Sequence, residues 1–273
     1  MRFTIEIILK GKPPFILPSN YRRNIVGFIR QAVKSSTIAH NTYNEYWGDN
    51  NNTNTQKLKP YTFFLSVTGF HYIDLDDKKY LQLNDGLIKL HISSSDSNFL
   101  SILYDGLINF QRSYKLFNYS IEFKEIFLKK FRAINANFVN FKILSPIIVR
   151  NIAIDGEKRK SMGYLACSEN TFKDSLTHSI LTLCKKLNYN REIKLDDIEI
   201  DTTECITTKI YHYQETIPGI VGNIGIKASE DVLGFIYDTG LGARRSQGFG
   251  MVDLVNEFDY HNMVPDKKPA LKY

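Results

Sequence analysis

Residues 2–10 (RFTIEIILK) alternate apolar and polar side chains at period two, the pattern of a half-buried strand. Pro13, Pro14 and Pro18 then keep the chain extended. Ser19 can cap a helix over roughly 20–38. Ile25, Phe28, Ile29 and Ala32 fall on one face of that helix, and Arg23, Arg30 and Lys34 fall on the other at 3.6 periodicity. An Asn-rich loop, 49–55, separates it from a strand at 61–70 (YTFFLSVTGF), and LIKLHIS at 87–93 is a further strand. Ser95 or Asp96 caps a second helix with a stripe of Phe99, Leu103, Leu107 and Phe110, and a strand follows at about 118–128.

The second half repeats that order. A strand at 138–145 leads into a hairpin turned at Asp155-Gly156. Thr171 and Asp174 have capping-box spacing and open a helix with Phe172, Leu176, Ile180, Leu183 and Leu187 on one face. Strands follow near 196–202, 206–214 and 218–228. Ser229 caps a short helix through Asp238, and a glycine loop runs into a last strand, GMVDLVNEF. The twice-read order of elements predicts an α+β fold of two tandem ferredoxin-like (βαββαβ, RRM-like) domains, 1–130 and 131–273.

Composition narrows the class. With 273 residues, 43% of them hydrophobic, the chain can bury a core. A net charge of +6 favours an acidic partner such as nucleic acid. No apolar run approaches the roughly 18 residues of a membrane helix. Arg2 and the alternating start are unlike a signal peptide. Three cysteines, Cys167, Cys184 and Cys205, lie far apart, which suits a reducing cytoplasm and neither a disulfide framework nor a CxxC metal pair. No His/Cys/Asp/Glu set has metal-ligand spacing, so no metal or other cofactor is expected; Asp74, Asp76 and Asp77 lack the length and glycine of an EF-hand loop.

The segment Gly240-Leu-Gly-Ala-Arg-Arg-Ser-Gln-Gly-Phe-Gly250 is the most informative. A helix cap and a turn account for one or two of its glycines. Four glycines, Gly240, Gly242, Gly248 and Gly250, around Arg244 and Arg245 also suit a backbone nest for phosphate oxygens, with the arginines adding charge and forked donors. GxGxxG would need glycine at 245, and a P-loop would need Gly-Lys-Ser, so a nucleotide-binding enzyme fits poorly. The match of 247–254 to the aromatic strand motif of RRM domains fails at Gln247, Met251 and Leu254.

The pattern GLG-ARRSQ-GFG resembles the signature of CRISPR-associated repeat-processing endoribonucleases, the Cas-six family of the RAMP superfamily. LPSNYRRNI at 17–25, FKILSPIIVRN at 141–151 and GNIGIKASEDVLGFIYDTGLG at 222–242 resemble other parts of that family. The resemblance implies two ferredoxin-like domains, binding of CRISPR repeat RNA within precursor crRNA, and metal-independent cleavage by ribose 2′-hydroxyl attack. It is compatible with a homodimer or with other CRISPR effector subunits as partners, and with a cytoplasmic place of work. It also admits a non-catalytic RAMP subunit that binds guide RNA as a scaffold.

That reaction needs proton transfer at two oxygens and positive charge on the phosphorane, and histidine titrates near neutrality. Of His40, His71, His91, His178, His212 and His261, the family resemblance favours His40, just after the first helix. Tyr21 matches the tyrosine at the family's helix entry, and Tyr43 and Tyr46 are rivals close after His40. Where some members place a lysine six residues after the histidine, this chain has Tyr46; Lys57 and Lys59 could substitute. Arg23, Arg30, Arg150 and the hairpin residues Lys158, Arg159 and Lys160 are further candidates for RNA backbone contact.

Overall fold

The computed structural model describes residues 1–39, 42–48, 57–76, 78–110, 114–129, 132–155, 158–187, 197–213 and 215–255. In the first half, β1 (Arg2–Lys10) sits between β6 (Leu87–Ser94) and β8 (Tyr119–Leu128), and β3 (Tyr61–Val67) pairs outside β6. Every pairing is antiparallel. Helices α1 (Arg22–Ser35) and α3 (Ser97–Phe110) connect these strands, so β1-α1-β3-β6-α3-β8 with spatial order β3-β6-β1-β8 is a ferredoxin-like unit.

The second half repeats it. The connectivity β9 (Phe138–Ile143), α4 (Phe172–Lys186), β12 (Glu199–Asp201), β14 (Glu215–Lys227), α5 (Glu230–Thr239), β15 (Val252–Leu254) folds into the order β12-β14-β9-β15. Each half has its own large hydrophobic core. One runs from Phe3 to Ile121 and the other from Ile134 to Val252. Each forms because an apolar stripe meets a sheet face: Ile25, Phe28, Ile29 and Ala32 of α1 are fully buried in the first.

Several local expectations are corrected. Helix α1 begins at Arg22, and Tyr21 at its N-cap has helical φ/ψ without a side-chain cap. Ser19 instead belongs to an extended segment: its N–H donates to Lys79 O, and β2 (Phe15–Pro18) pairs with β5 (Lys78–Leu83). β5 also pairs with β4 (Phe70–Leu75), so the Asp-rich stretch forms the turn end of a hairpin on an added three-stranded sheet. Neither Thr171 nor Ser229 makes a side-chain cap bond, so the spacing of Thr171 and Asp174 forms no capping box. Asp96 does cap α3, its Oδ1 accepting from Phe99 N at 3.0 Å. Helix α2 (Thr42–Trp47) and the short β7 (Lys115–Leu116) were not distinguished in sequence, whereas β13 (Cys205–His212) falls on the strand expected near 206–214. The hairpin β10 (Arg150–Asp155)/β11 (Lys158–Tyr164) forms as expected, while its turn at Gly156 lies outside the described residues.

The halves meet along β3 and β6. Ser93 Oγ donates to Asp238 O at 2.8 Å, and Thr62 Oγ1 to Phe249 O at 2.8 Å. The buried Arg2 guanidinium donates to the carbonyls of Tyr237 and Val252 and lies 3.4 Å over the Tyr237 ring. One side chain of β1 therefore grips both α5 and β15.

Candidate nucleic-acid interface

Between the halves lies an open cleft of about 1760 Å³. From the first half it takes the entry to α1, β3 and the β4–β5 hairpin; from the second it takes the β13–β14 hairpin and Arg244. Arg22, Arg23, Lys78, Lys79, Lys209 and Arg244 line it, while Glu215 is the acidic member among the described lining residues. Tyr21, Phe64, Phe70, Tyr72, Tyr80, Tyr211 and Tyr213 line it as well. Cationic walls interleaved with aromatic rings suit a polyanion whose bases can stack.

The glycine loop closes one end of this cleft and packs tightly while doing so. All four glycines have positive φ. A Cβ at Gly240 would lie 2.6 Å from Gly250 O, at Gly242 2.4 Å from Ile148 O, at Gly248 2.5 Å from the Phe63 ring and at Gly250 1.9 Å from Leu241 O. Many of the loop's N–H groups are already used: Leu241 donates to Gly250 O, Ala243 to Ile148 O, Gly250 to Pro146 O and Met251 to Ser145 Oγ. Close approach of protein to protein therefore accounts for each glycine, beyond the one or two assigned to a turn in sequence.

Its two arginines, read alike in sequence, differ. Arg245 is only 5% exposed and donates through Nη1 to Thr239 O at 2.8 Å, the C-terminal end of α5. Burial pushes its pKa down to about 10. Its guanidinium is committed to the fold, a correction to its pairing with Arg244 as a phosphate ligand. Arg244 has φ of 57° and projects into the cleft, held by Tyr164 Oη at 2.7 Å and Gln247 Oε1 at 3.3 Å. Arg22, which periodicity did not single out, is mostly buried; it donates through Nε to Gly248 O at 3.1 Å and lies 4.6 Å over the Phe249 ring. The start of α1 is thereby tied to the glycine loop.

Along the exposed face of α1, Arg23 opens onto the cleft, and Arg30 lies seven residues on, about 10 Å by helical rise. Arg30 Nε donates to Tyr43 Oη at 2.9 Å, and Lys34 Nζ lies 5.9 Å from the centre of the Tyr43 ring. Tyr43 stacks on Trp47, whose ring carries Lys59 Nζ at 5.2 Å. Burial, and then the charge of Arg30, lower the Lys59 pKa. Lys57 pairs with Glu45 at 2.9 Å. Tyr46 points the other way: it is buried edge-on against Phe99, and desolvation pushes its hydroxyl up to about 12. Tyr21 packs on the first core beneath the Arg22 guanidinium.

His40 and His261 lie outside the described residues. His71 is exposed on β4. His91 accepts or donates at Thr4 Oγ1, 2.9 Å from its Nδ1, and stacks on Phe64; burial, then Lys129 and Lys89, push its pKa down to about 4. His212 is buried against Phe249 in the cleft floor, Nε2 at 3.0 Å from Gln247 Oε1, with its pKa lowered chiefly by burial. Its position there was not legible in sequence, since its alternation with exposed Tyr211 and Tyr213 is that of any edge strand. Arg150 is exposed at the start of β10, away from the residues lining the cleft. Lys158, Arg159 and Lys160 open β11, but their side chains lie outside the described residues. Among the described residues no three His, Cys, Asp or Glu side chains converge as metal ligands, and no helix is long and apolar enough to cross a membrane.

Comparison with known proteins gives consistent relatives. Residues 129–254 match the family model described as CRISPR associated protein Cas6, C-terminal. The chain is 26% identical over 260 residues to a CRISPR-associated endoribonuclease-like protein, Cas6nc, of Pyrococcus horikoshii, a match covering 93% of this chain and 100% of that one. Among solved structures it superposes on a Cas6-related protein from Pyrococcus furiosus with a TM-score of 0.76 at 22% identity, covering 94% of this chain and 99% of the other. It also superposes on a RAMP protein described as binding different RNA substrates, with a TM-score of 0.73 at 22% identity, covering 94% and 100%.

Proposed function

We propose that this chain, whose residues 129–254 match the Cas6 C-terminal family model, is a Cas6-family protein that binds CRISPR repeat RNA and cuts precursor crRNA once per repeat without a metal ion. The observation that carries the proposal is the cleft, six cationic side chains against one carboxylate, continued by the Arg23–Arg30–Lys34 face of α1 to the residues that follow His40. RNA laid in the cleft and along α1 reaches the Arg30–Tyr43–Trp47–Lys59 cluster. The fold and the relatives support the same reading.

In this mechanism the ribose 2′-oxygen attacks the adjacent phosphorus while the bond to the 5′ oxygen breaks, leaving a cyclic phosphate and a 5′-hydroxyl. His40 transfers a proton at one of these two oxygens. Arg30, Lys34 and Lys59 stand where they can neutralise charge that grows on the phosphorane, the role metal ions fill in other nucleases. Tyr43, its hydroxyl already accepting from Arg30, positions the sugar-phosphate, and Tyr21 does so at the cleft mouth. Tyr46 anchors α2 by packing. Arg23 and Arg244 hold phosphates in the cleft. The glycines Gly240, Gly242, Gly248 and Gly250 set the loop that presents Arg244, and Arg150, Lys158, Arg159 and Lys160 extend the basic surface of the second half. We divide the chain into a catalytic domain, 1–130, and an RNA-binding domain, 131–273; the two cores support that division.

The test is cleavage of the cognate repeat RNA in EDTA, with and without a 2′-deoxy nucleotide at the scissile position. The expected result is full cleavage in EDTA, a cyclic-phosphate end, and no cut at the deoxy substrate. Cleavage that stops in EDTA, or proceeds past a 2′-deoxy site, ends the mechanism. Repeat RNA that is bound and left intact would make the chain a scaffold subunit.

A further inference from the structure

Strand β4 is exposed along nearly its whole length, with Ile73 alone half-buried. It is the outer strand of the added sheet β2-β5-β4, so one edge is unpaired by any described strand. Phe70 is 40% and Tyr72 68% exposed. Strand β13 of the second half, paired in register with the first part of β14, likewise exposes Tyr211 at 56%, and Tyr213 beyond its end at 43%. Singly exposed rings are ordinary on a protein surface. Here rings from two domains border one cleft, with Lys78 and Lys79 on one hairpin and Lys209 on the other.

Three of these rings, Phe70, Tyr72 and Tyr213, already have ring partners before any ligand arrives. Phe70 and Tyr72 meet edge to face, centroids 5.6 Å apart and planes at 88°. Tyr213 lies 4.5 Å from the His212 ring, itself fixed by Gln247 and Phe249. A ring already restrained loses less freedom when a base stacks on it. The lining chemistry selects the occupant. Charge favours a polyanion, and exposed ring faces favour a polyanion with free π-faces. A duplex keeps its base faces inside its own stack, so an unpaired strand alone can use both features.

We propose that the β4–β5 and β13–β14 hairpins form a two-sided clamp that stacks bases of an unpaired RNA strand, with Tyr72 and Tyr211 as its outermost rings. The inference rests on the RNA-binding reading above and adds which form of RNA the cleft takes and what takes it. The clamp makes binding depend on aromatic faces as well as on phosphate charge, and it commits the cleft to a single strand even where a neighbouring part of the RNA is folded.

The experiment measures binding of a fluorescent single-stranded RNA, and of a blunt duplex of equal length, over a range of salt. Tyr72→Leu, Tyr211→Leu, the double variant and the two Phe variants are compared with the unchanged chain. Each Leu variant should weaken single-strand binding by about 5- to 100-fold, the range for losing one base–ring stack, with the slope of affinity against salt unchanged. Tyr72→Phe and Tyr211→Phe should bind as the parent does, and the duplex should bind more weakly than the strand. Both tyrosines are largely exposed, so thermal unfolding of the Leu variants should match the parent. A double Leu variant that binds the strand as the parent does, or a parent that prefers duplex, overturns the clamp and leaves RNA binding standing. A parent that binds neither RNA overturns the clamp and the RNA reading together.

Discussion

A Cβ at Gly106 would lie 1.8 Å from the carbonyl oxygen of Ala32, so α1 and α3 can cross only where one of them has no side chain. Gly106→Ala should lower the unfolding free energy by about 1–3 kcal/mol or more, since the backbones must part. Gly248→Ala adds a φ of +84° to a 2.5 Å approach on Phe63 and should destabilise by a similar amount. Gly234 is the control: it sits in α5 with nothing within 4 Å of the added carbon, and Gly234→Ala should stabilise by roughly 0.5–1 kcal/mol. Urea titration of the three variants reads all of this, and a neutral Gly248→Ala would return that glycine to a ligand-facing role. The two loop arginines separate in the same manner. Arg245→Ala leaves Thr239 O without its buried donor and should cost about 1–3 kcal/mol of stability, with the salt dependence of RNA binding unmoved. Arg244→Ala should leave stability nearly unchanged and flatten the salt slope by about 0.7, one phosphate contact on a single strand. His40→Ala should slow single-turnover cleavage by about 10²–10⁴ with little change in RNA affinity, because the lost contribution belongs to the transition state; a variant that cuts at the parent's rate removes His40 from the chemistry.

At the scale of elements, amphipathic helices and alternating core strands are readable because their periods, 3.6 and 2, follow from which face is buried. Helix α1 shows this: Ile25, Phe28, Ile29 and Ala32 lie on one buried stripe. The β4–β5 hairpin is hidden for the opposite reason. Nearly all of β4 is exposed, so FHYIDL carries no hydrophobic alternation to mark it as a strand. Capping signals were only partly reliable. Asp96 fulfils its role, whereas Thr171 and Ser229 have the right residue type and spacing without the bond. Helix α2 is too short for periodicity to register, and packing of Tyr46 and Trp47 holds it. Tyr46→Ala should therefore loosen α2 and lower stability by about 3 kcal/mol, as for other buried aromatic truncations, while Tyr43→Phe, which removes the acceptor of Arg30, should leave stability nearly intact and reduce cleavage. Equal effects of both on stability would place Tyr43 in the core with Tyr46.

For the whole molecule, two histidines, half-buried His91 and buried His212, link folding to pH. Burial, joined by Lys129 and Lys89, holds the His91 pKa at about 4, below the unfolded value of about 6.5, and His212 is shifted the same way. Between those limits the unfolded chain binds more protons than the folded one, so stability is complete above pH 6.5 and falls as the pH drops towards 4. Denaturation midpoints should decline from pH 6.5 to 5, before most carboxylates titrate, and His91→Asn should flatten that decline; an equally steep His91→Asn curve would assign the effect elsewhere. The order of elements, read twice along the chain, determined the pair of ferredoxin-like units, because each strand and helix must bury one face and the periodicity records which. The GLG-ARRSQ-GFG segment pointed to the family whose C-terminal model matches residues 129–254, and the basic balance favoured an acidic partner. Tertiary structure alone decided that Arg245 is spent on α5 while Arg244 faces the cleft, that Arg22 ties α1 to the loop, and that Tyr72 and Tyr211 border one space. Those outcomes depend on contacts between residues more than a hundred positions apart, or on how the glycine loop folds back on α5 and which way left-handed Arg244 turns its side chain. Local periodicity carries no record of either.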